Sequence, residues 1–173
     1  AAKHVEVRFG AGVESYDGSC ARLRGGEIIP ARTLIWAAGA RASRLAATFG
    51  LATGPQGRIV VEPTLQVPGR PEAYVVGDAA WVEHEGPAHP MMAPVAIQMA
   101  DTAARNVRRA IAGRAPIPFR YRDPGSLATI GRSAAVAHIR GLSFTGFAAW
   151  VVWLVVHLIQ LIGFRNKLLV LIN

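Results

Sequence analysis

These 173 residues contain one cysteine, Cys20. A single thiol excludes an intrachain disulfide, a CxxC redox pair and any cysteine-rich metal site. It suits a reducing, cytoplasmic compartment. Acidic residues are also scarce: 11 Asp and Glu stand against 19 Lys and Arg, a formal charge of +8. Such an excess could serve nucleic acid, but Arg22, Arg24, Arg41, Arg44, Arg105, Arg108, Arg109, Arg120 and Arg122 are scattered. They lack the interleaved aromatics of a base-stacking surface, so no nucleic-acid partner is expected. Attraction to anionic lipid headgroups accounts for the same charge. No apolar segment follows Ala1-Ala2-Lys3-His4, so no signal peptide is expected. With no initiator Met, the chain is expected to begin within a domain.

Phosphate-cradling glycine loops are missing too. Gly10-Ala11-Gly12 starts like GxGxxG, but the third glycine position holds Ser15 and the following residues are turn-like. No GxxxxGK[ST] segment occurs. Charge itself is absent from Gly141 to Phe164, a run of 24 residues interrupted only by Ser143, Thr145, His157 and Gln160. As one helix it would extend about 36 Å against a hydrocarbon core of about 30 Å, so length permits a spanning helix.

Other features of that run favour a helix lying in the membrane interface. Trp150, Trp153, His157 and Gln160 fall at i, i+3, i+7 and i+10 and share one face. Tryptophan and histidine suit the headgroup level. Both flanks are basic, with Arg132 and Arg140 before and Arg165 and Lys167 after. A spanning helix usually has asymmetric basic flanks, whereas two basic ends fit a segment held on one leaflet. A spanning helix and a buried helix stay open as alternatives. Leu168 to Ile172 is too short to span.

What is present upstream reads as mixed α/β. Residues 4–36 suggest a β-meander: Val5, Val7 and Phe9 alternate with polar residues, and Asp17-Gly18 and Gly25-Gly26 supply turns. A last strand, Thr33 to Trp36, runs into Ala37-Ala38-Gly39-Ala40. A short helix is expected over 41–52, and strands over 57–61 and 65–67 before the Pro68-Gly69 turn. Pro94 suits the first turn of a helix running to about Ile111 and ended by Gly113. Strands follow at 127–131 and 134–139.

The segment Tyr74-Val75-Val76-Gly77-Asp78-Ala79-Ala80 points most directly at chemistry. A β-branched run stopping on Gly-Asp is expected to place Asp78 at the carboxyl end of a sheet, the edge where α/β folds bind nucleotides. Glycine permits close approach and a carboxylate accepts hydrogen bonds from sugar hydroxyls. A plain turn is the competing reading. Glu83, His84, Glu85 and His89 match no metal-ligand spacing and are read as a polar loop, so no metal is expected.

Taken together, several segments resemble the C-terminal part of the type II NADH dehydrogenases, single-subunit NADH:quinone oxidoreductases. The matching pieces are Thr33 to Gly39, Val75 to Ala80, Ala93 to Gln98, Tyr121 to Arg132, and Leu161 to Lys167. The first two are shared with the wider superfamily of two-dinucleotide-domain flavoproteins. The last two are more specific to the quinone-reducing branch.

The resemblance implies an α/β fold, the C-terminal part of a two-domain, Rossmann-like FAD/NAD(P) flavoprotein with an apolar membrane-binding helical segment. Residues 1–40 would end the NAD-binding domain, 41–119 would complete the FAD-binding domain, and 120–173 would hold C-terminal strands and anchoring helices. Asp78 would bind the ribityl–phosphate region of FAD, with Gly77 and Ala79 allowing close approach and Gly39 near the cofactor. The backbone of Val95 and Ala96, at a helix N-terminus, would face the flavin and stabilise negative charge on it. Gln98 would be quinone-proximal, in a motif like AQxAxQxG where this chain has Pro94 for the first Gln and Ala100 for the Gly. Trp150, Trp153, His157, Arg165 and Lys167 would contact the membrane.

The implied reaction is oxidation of NADH by FAD with electrons passed to a membrane quinone, at the cytoplasmic face of the cell membrane. The glycine fingerprints of the family would lie in an N-terminal part of the same enzyme, without which the chain is expected to be inactive. A homodimer is allowed. Two alternatives remain: another FAD/NAD(P) oxidoreductase such as a sulfide:quinone reductase, which the lone Cys20 disfavours, and a non-catalytic membrane-associated remnant.

Overall fold

The computed structural model describes residues 5–82 and 88–160, with the side chain of Gln160 excepted. The chain divides into two compact units, Ala1–Ala40 and Arg41–Asn173.

In the N-terminal unit, strands β1 (Val13–Tyr16), β2 (Cys20–Leu23) and β3 (Ile28–Pro30) form an antiparallel meander in that order. The β1–β2 turn is built by Asp17. Its Oδ1 accepts from the backbone N–H groups of Ser19 and Cys20, both at 2.7 Å, and from the Ser19 hydroxyl at 2.9 Å. Ala21 and Leu23 point inward. The strands expected at Val5–Phe9 and Thr33–Trp36 do not form. Alternation makes a strand only where a neighbouring strand completes the ladder, and these two segments pair with no described residue. Phe9 and Ile35 are consequently exposed.

The larger unit opens with a one-to-two-turn 3-10 helix, Arg44–Phe49, where the sequence suggests a longer helix. Ser43 caps it by accepting from the Leu45 N–H, and Gly50 ends it in the left-handed region at φ 65°. Only Ala46 of this segment is buried, so too little apolar surface is covered to extend it.

Next, β4 (Ile59–Val61) pairs in parallel with β7 (Ala80–Val82), Ile59 opposite Ala80 and Val61 opposite Val82. Between them lies a hairpin of β5 (Gln66–Val67) and β6 (Arg70–Tyr74), turning at Pro68-Gly69 as expected. Helix α1 (Ala93–Ile111) carries proline in its first turn and Arg108 and Arg109 in its last, both matched to the helix dipole and end geometry. Its inner face lays Val95, Met99 and Ala103 against Ile59, Val61, Leu65, Val67, Ala80, Val82 and Phe119, forming the main core.

A polar residue locks that core. Asn106 is fully buried, and its amide donates to the carbonyls of Thr64 (3.0 Å) and Ile117 (2.9 Å) while accepting from the Ile117 N–H (2.8 Å). The side chain thereby ties α1 to the turn before β5 and to the segment after the helix.

The C-terminal part is an antiparallel sheet of order β10-β9-β8, from β8 (Ser126–Gly131), β9 (Ala134–Ile139) and β10 (Leu142–Gly146), with helix α2 (Phe147–Gln160) packed on it. The charge-free run is therefore not one helix. Its first residues complete the sheet edge, Leu142 opposite Ile139 through Gly146 opposite Ala135, before α2 begins. β-Branched and aromatic residues at Phe144 and Thr145 and the glycine at 146 suit a strand and its end. Among the described residues no helix is long and apolar enough to cross a membrane.

Candidate functional site

The segment singled out by sequence folds differently from the expectation. Strand β6 ends at Tyr74 and pairs antiparallel with β5, and Val75 and Val76 belong to no strand. Gly77–Ala79 then makes a single 3-10 turn that delivers the chain into β7. Asp78 thus lies just before the parallel pair rather than at the end of a β-branched strand. It is exposed and accepts no hydrogen bond from any described residue.

Gly77 is fixed by what lies beside it. Its φ of 66° is the left-handed conformation, and a Cβ there would stand 3.2 Å from the Cβ of Ala96 on the first turn of α1. The close approach that glycine permits is therefore an approach to the helix. The Gly77 N–H points at the Met99 sulfur, 3.3 Å away and buried beneath the same turn. Val95 is buried and Ala96 half-buried, and both backbone N–H groups lean on the Met92 carbonyl at 3.1 Å. No side chain caps the helix start. An exposed carboxylate and an uncapped helix N-terminus are therefore held in one rigid corner by the Gly77–Ala96 contact.

Arg58 supports this corner from behind. It is only 2% exposed, its Nε–H donates to the Ala80 carbonyl at 2.7 Å, and Nη1 donates to the His89 carbonyl at 3.1 Å. The guanidinium carbon lies 5.3 Å from the centre of the Trp81 ring, a cation–π geometry. Burial lowers its pKa, and the nearby Asp78 charge acts in the opposite sense. His89 packs edge-on against Phe119 and Tyr121, at ring-centre distances of 5.2 and 5.9 Å.

Gln98, one turn further along α1, is engaged through both ends of its amide. Nε2 donates to the Arg122 carbonyl at 2.9 Å and Oε1 accepts from the Arg122 N–H at 3.0 Å. The side chain closes a ladder-like pair with a backbone 24 residues away.

Residues 1–100 match the pyridine nucleotide-disulphide oxidoreductase family, and residues 124–173 match the NDH2 C-terminal domain. The chain belongs to the type II NADH dehydrogenase branch of that family. It is 39% identical over 180 aligned positions to the type II NADH:quinone oxidoreductase Ndh of Mycobacterium tuberculosis, covering 98% of this chain and 38% of that protein. The demethylphylloquinone reductase NdbB of a Synechocystis species is 28% identical, over 85% of this chain and 37% of its own length. In fold the chain is similar to NDH2 from Plasmodium falciparum, with a TM-score of 0.77 at 16% identity, covering 94% of this chain and 49% of that one. The chain spans well under half the length of the curated relatives it matches.

Against this type II dehydrogenase background, the residues expected from sequence, apart from Gln98 and those of α2, fall into three groups. Gly77, Asp78, Ala79, Val95 and Ala96 come together in the corner just described. Gly39 lies in the N-terminal unit, exposed, at φ 117°. Arg165 and Lys167 lie outside the described residues, as does His84.

Trp150 and Trp153 lie on the sheet side of α2. They are half-buried and pack with Leu127 and Phe144 around Ala135, Ala137 and Ala149. Those small alanines let the helix sit close to β9, and the indoles fill the flanks. His157 is exposed, stacks on Trp153 at 4.2 Å, and its Nδ1 lies 2.7 Å from the Trp153 carbonyl. The outward side is instead a stripe of Phe147, Val151, Val155 and Ile159.

Three residues of the larger unit carry no sequence signal. Arg58 reads as an ordinary turn residue before a strand, and Asn106 as a polar residue on an amphipathic helix. Tyr74 Oη is buried with no partner among the described residues, which nothing in its β-like surroundings reveals. Among the described residues no His/Cys/Asp/Glu group could hold a metal ion.

Proposed function

We propose that this chain supplies the flavin-contacting, quinone-proximal and membrane-facing part of an FAD-dependent NADH:quinone oxidoreductase. In this reading residues 1–40 end the NAD-binding domain, 41–119 complete the FAD-binding domain, and 120–173 form the C-terminal, membrane-facing part. The observation that carries it is the corner in which the Gly77–Ala79 turn meets the uncapped N-terminus of α1. Asp78 is an exposed acceptor beside that turn, suited to the hydroxyl donors of a ribityl chain. The positive end of the α1 dipole, at Val95 and Ala96, suits the negative charge of a reduced flavin.

Bound FAD would supply the two-electron chemistry between nicotinamide and quinone. The chain's own residues bind and orient. Asp78 accepts from the cofactor, Gly77 keeps the turn against Ala96, and Arg58 fixes Ala80 so that the carboxylate is presented in one place. Gln98 is quinone-proximal in this reading. With both amide ends engaged, it acts by holding the Arg122 backbone beside the quinone. The exposed apolar stripe of α2 favours peripheral attachment to the membrane, which spares a lipophilic quinone passage through water.

The test is flavin content and turnover of the enzyme that joins these residues to the N-terminal part carrying the glycine fingerprints. That protein is expected to retain FAD and to oxidise NADH with a quinone analogue, whereas the 173 residues alone are expected to do neither. Asp78→Ala is expected to lose most of the visible flavin absorbance while keeping its far-ultraviolet circular dichroism. Full flavin retention by folded Asp78→Ala would remove the carboxylate from the cofactor site.

A further inference from the structure

A second feature of the larger unit shares Gln98 and the Arg122 backbone with the quinone reading, which leaves its arginine side chains without a role. Beside the outer flank of α1 lies a cavity of about 290 Å³, lined by Gln98, Asp101, Thr102, Arg105, Arg120 and Arg122 together with Ile117 and Pro118. That volume is at the small end of ligand clefts, which begin near about 300 Å³. Three arginines and a single aspartate thus share one lining. Among the described residues none of the three lies within ion-pair distance of an acid, and the salt bridges that do occur belong to Arg8.

Neutral groups fix the Arg105 guanidinium and the backbone that carries the other two arginines. Arg105 donates Nε–H to the Asp101 carbonyl at 3.2 Å and Nη2–H to the Thr102 hydroxyl at 3.4 Å. This steers the guanidinium across the helix surface and leaves its Nη1 donors uncommitted. The Arg122 backbone is fixed by the Gln98 amide, and Arg120 lies two residues away in the same segment, next to buried Phe119. Phe119 anchors that segment in the main core. The cationic wall therefore does not depend on side-chain pairing for its position.

Three like charges gathered around a single unpaired acid repel one another and gain from an anion that bridges them. Arginine is permanently protonated, and its planar fork matches a tetrahedral oxyanion through paired N–H donors. We propose that the Arg105–Arg120–Arg122 cavity is a binding site for a phosphate-bearing ligand. The shared chemistry is a phosphate mono- or diester oxyanion, delivered either as the headgroup of an anionic lipid or as free phosphate. By the rise per residue, Gln98 lies about 8 Å and Arg105 about 18 Å along the helix axis from the start of α1, so the arginine end of the cavity is the one farther from the Gly77–Asp78 corner.

Three proteins test it in the full chain: wild type, Arg120→Gln/Arg122→Gln, and Arg108→Gln/Arg114→Gln. The third removes the same charge away from the cavity. Arg105 is left intact in all of them, which keeps its contact with buried Thr102. Inorganic phosphate is titrated calorimetrically, and vesicle co-sedimentation compares phosphatidylcholine alone with phosphatidylcholine plus phosphatidylglycerol.

Saturable phosphate binding that falls at least about tenfold in the cavity variant, and is kept in the control, establishes the free-phosphate form. Preference for phosphatidylglycerol vesicles that is lost in the cavity variant, kept in the control and competed by phosphate assigns a lipid headgroup. Equal losses in both variants reduce the effect to net charge and overturn the site. Absence of phosphate binding together with no difference between vesicle types overturns it as well.

Discussion

Arg58 and Ala80 are joined by a 2.7 Å hydrogen bond from Nε–H to the backbone carbonyl, one residue away from where Ile59 and Ala80 pair across the parallel strands. The cation thus seals the end of the β4–β7 ladder and clamps the exit of the Asp78 turn. A buried charge is tolerated when its donors are spent on carbonyls and its face lies on an aromatic ring, here Trp81.

Replacing Arg58 should therefore loosen the Asp78 turn from behind. Arg58→Met strands the Ala80 and His89 carbonyls, and the expected loss is about 2–3 kcal/mol by urea unfolding. Arg58→Lys keeps the charge but cannot reach both carbonyls as a planar fork, so it should recover less than half of that loss. Stability unchanged in both variants would show that the pair contributes nothing.

The contact between Gly77 and Ala96 makes a cycle of variants informative. Gly77→Ala forces a Cβ into 3.2 Å contact and a left-handed backbone, for a loss of roughly 2–3 kcal/mol. Ala96→Gly alone costs about 1 kcal/mol, from helix propensity. The double variant should lose less than the sum, because Ala96→Gly removes the clash and leaves only the φ strain. Strict additivity would place the whole cost in backbone conformation.

Asp17 gives the N-terminal unit a pH dependence of known sign. The backbone N–H groups of Ser19 and Cys20 and the Ser19 hydroxyl stabilise its ionised form, so its pKa is held below the usual 3.8. With the folded value depressed, the stabilisation is complete above the unfolded pKa and is lost as pH falls through the folded one. Carbon-detected titration of the Asp17 carboxyl should give a midpoint below that of an Asp in a short peptide. Asp17→Asn should remove the acid-side slope. An unshifted midpoint would contradict the three-donor turn.

Much of the architecture was legible because it rests on local chemistry. Pro94 and Gly113 bracket α1 almost to the residue, and Asp17-Gly18, Gly25-Gly26 and Pro68-Gly69 turn where their backbone preferences require. The strands expected over 127–131 and 134–139 also form, but whether a distant partner lies beside a segment was not legible. Val5–Phe9 alternates like β1 but pairs with no described residue, while Leu142–Gly146 reads as helix and becomes a strand because β9 offers it an edge. Within the site, Asp78 stood out by its glycine neighbour. Arg58, Gln98 and Asn106 take their roles from carbonyls 22, 24 and 42 residues away, a relation that no local pattern contains.

The two faces of α2 should separate stability from membrane attachment. The helical period places Phe147, Val151, Val155 and Ile159 outward while Trp150 and Trp153 cover Ala135 and Ala137. Trp153→Ala removes a packed indole and its stack on His157, so the melting temperature should fall, by about 2 kcal/mol of stability for a half-buried ring. Val151→Glu or Val155→Glu changes only the exposed stripe. It should leave the melting temperature nearly unchanged and strip the protein from vesicles in co-sedimentation, since a carboxylate on that face must be carried into the acyl boundary. If the glutamate variants stay on vesicles while Trp153→Ala leaves them without unfolding, the indole face contacts lipid and the packing of α2 on the sheet must open at the membrane.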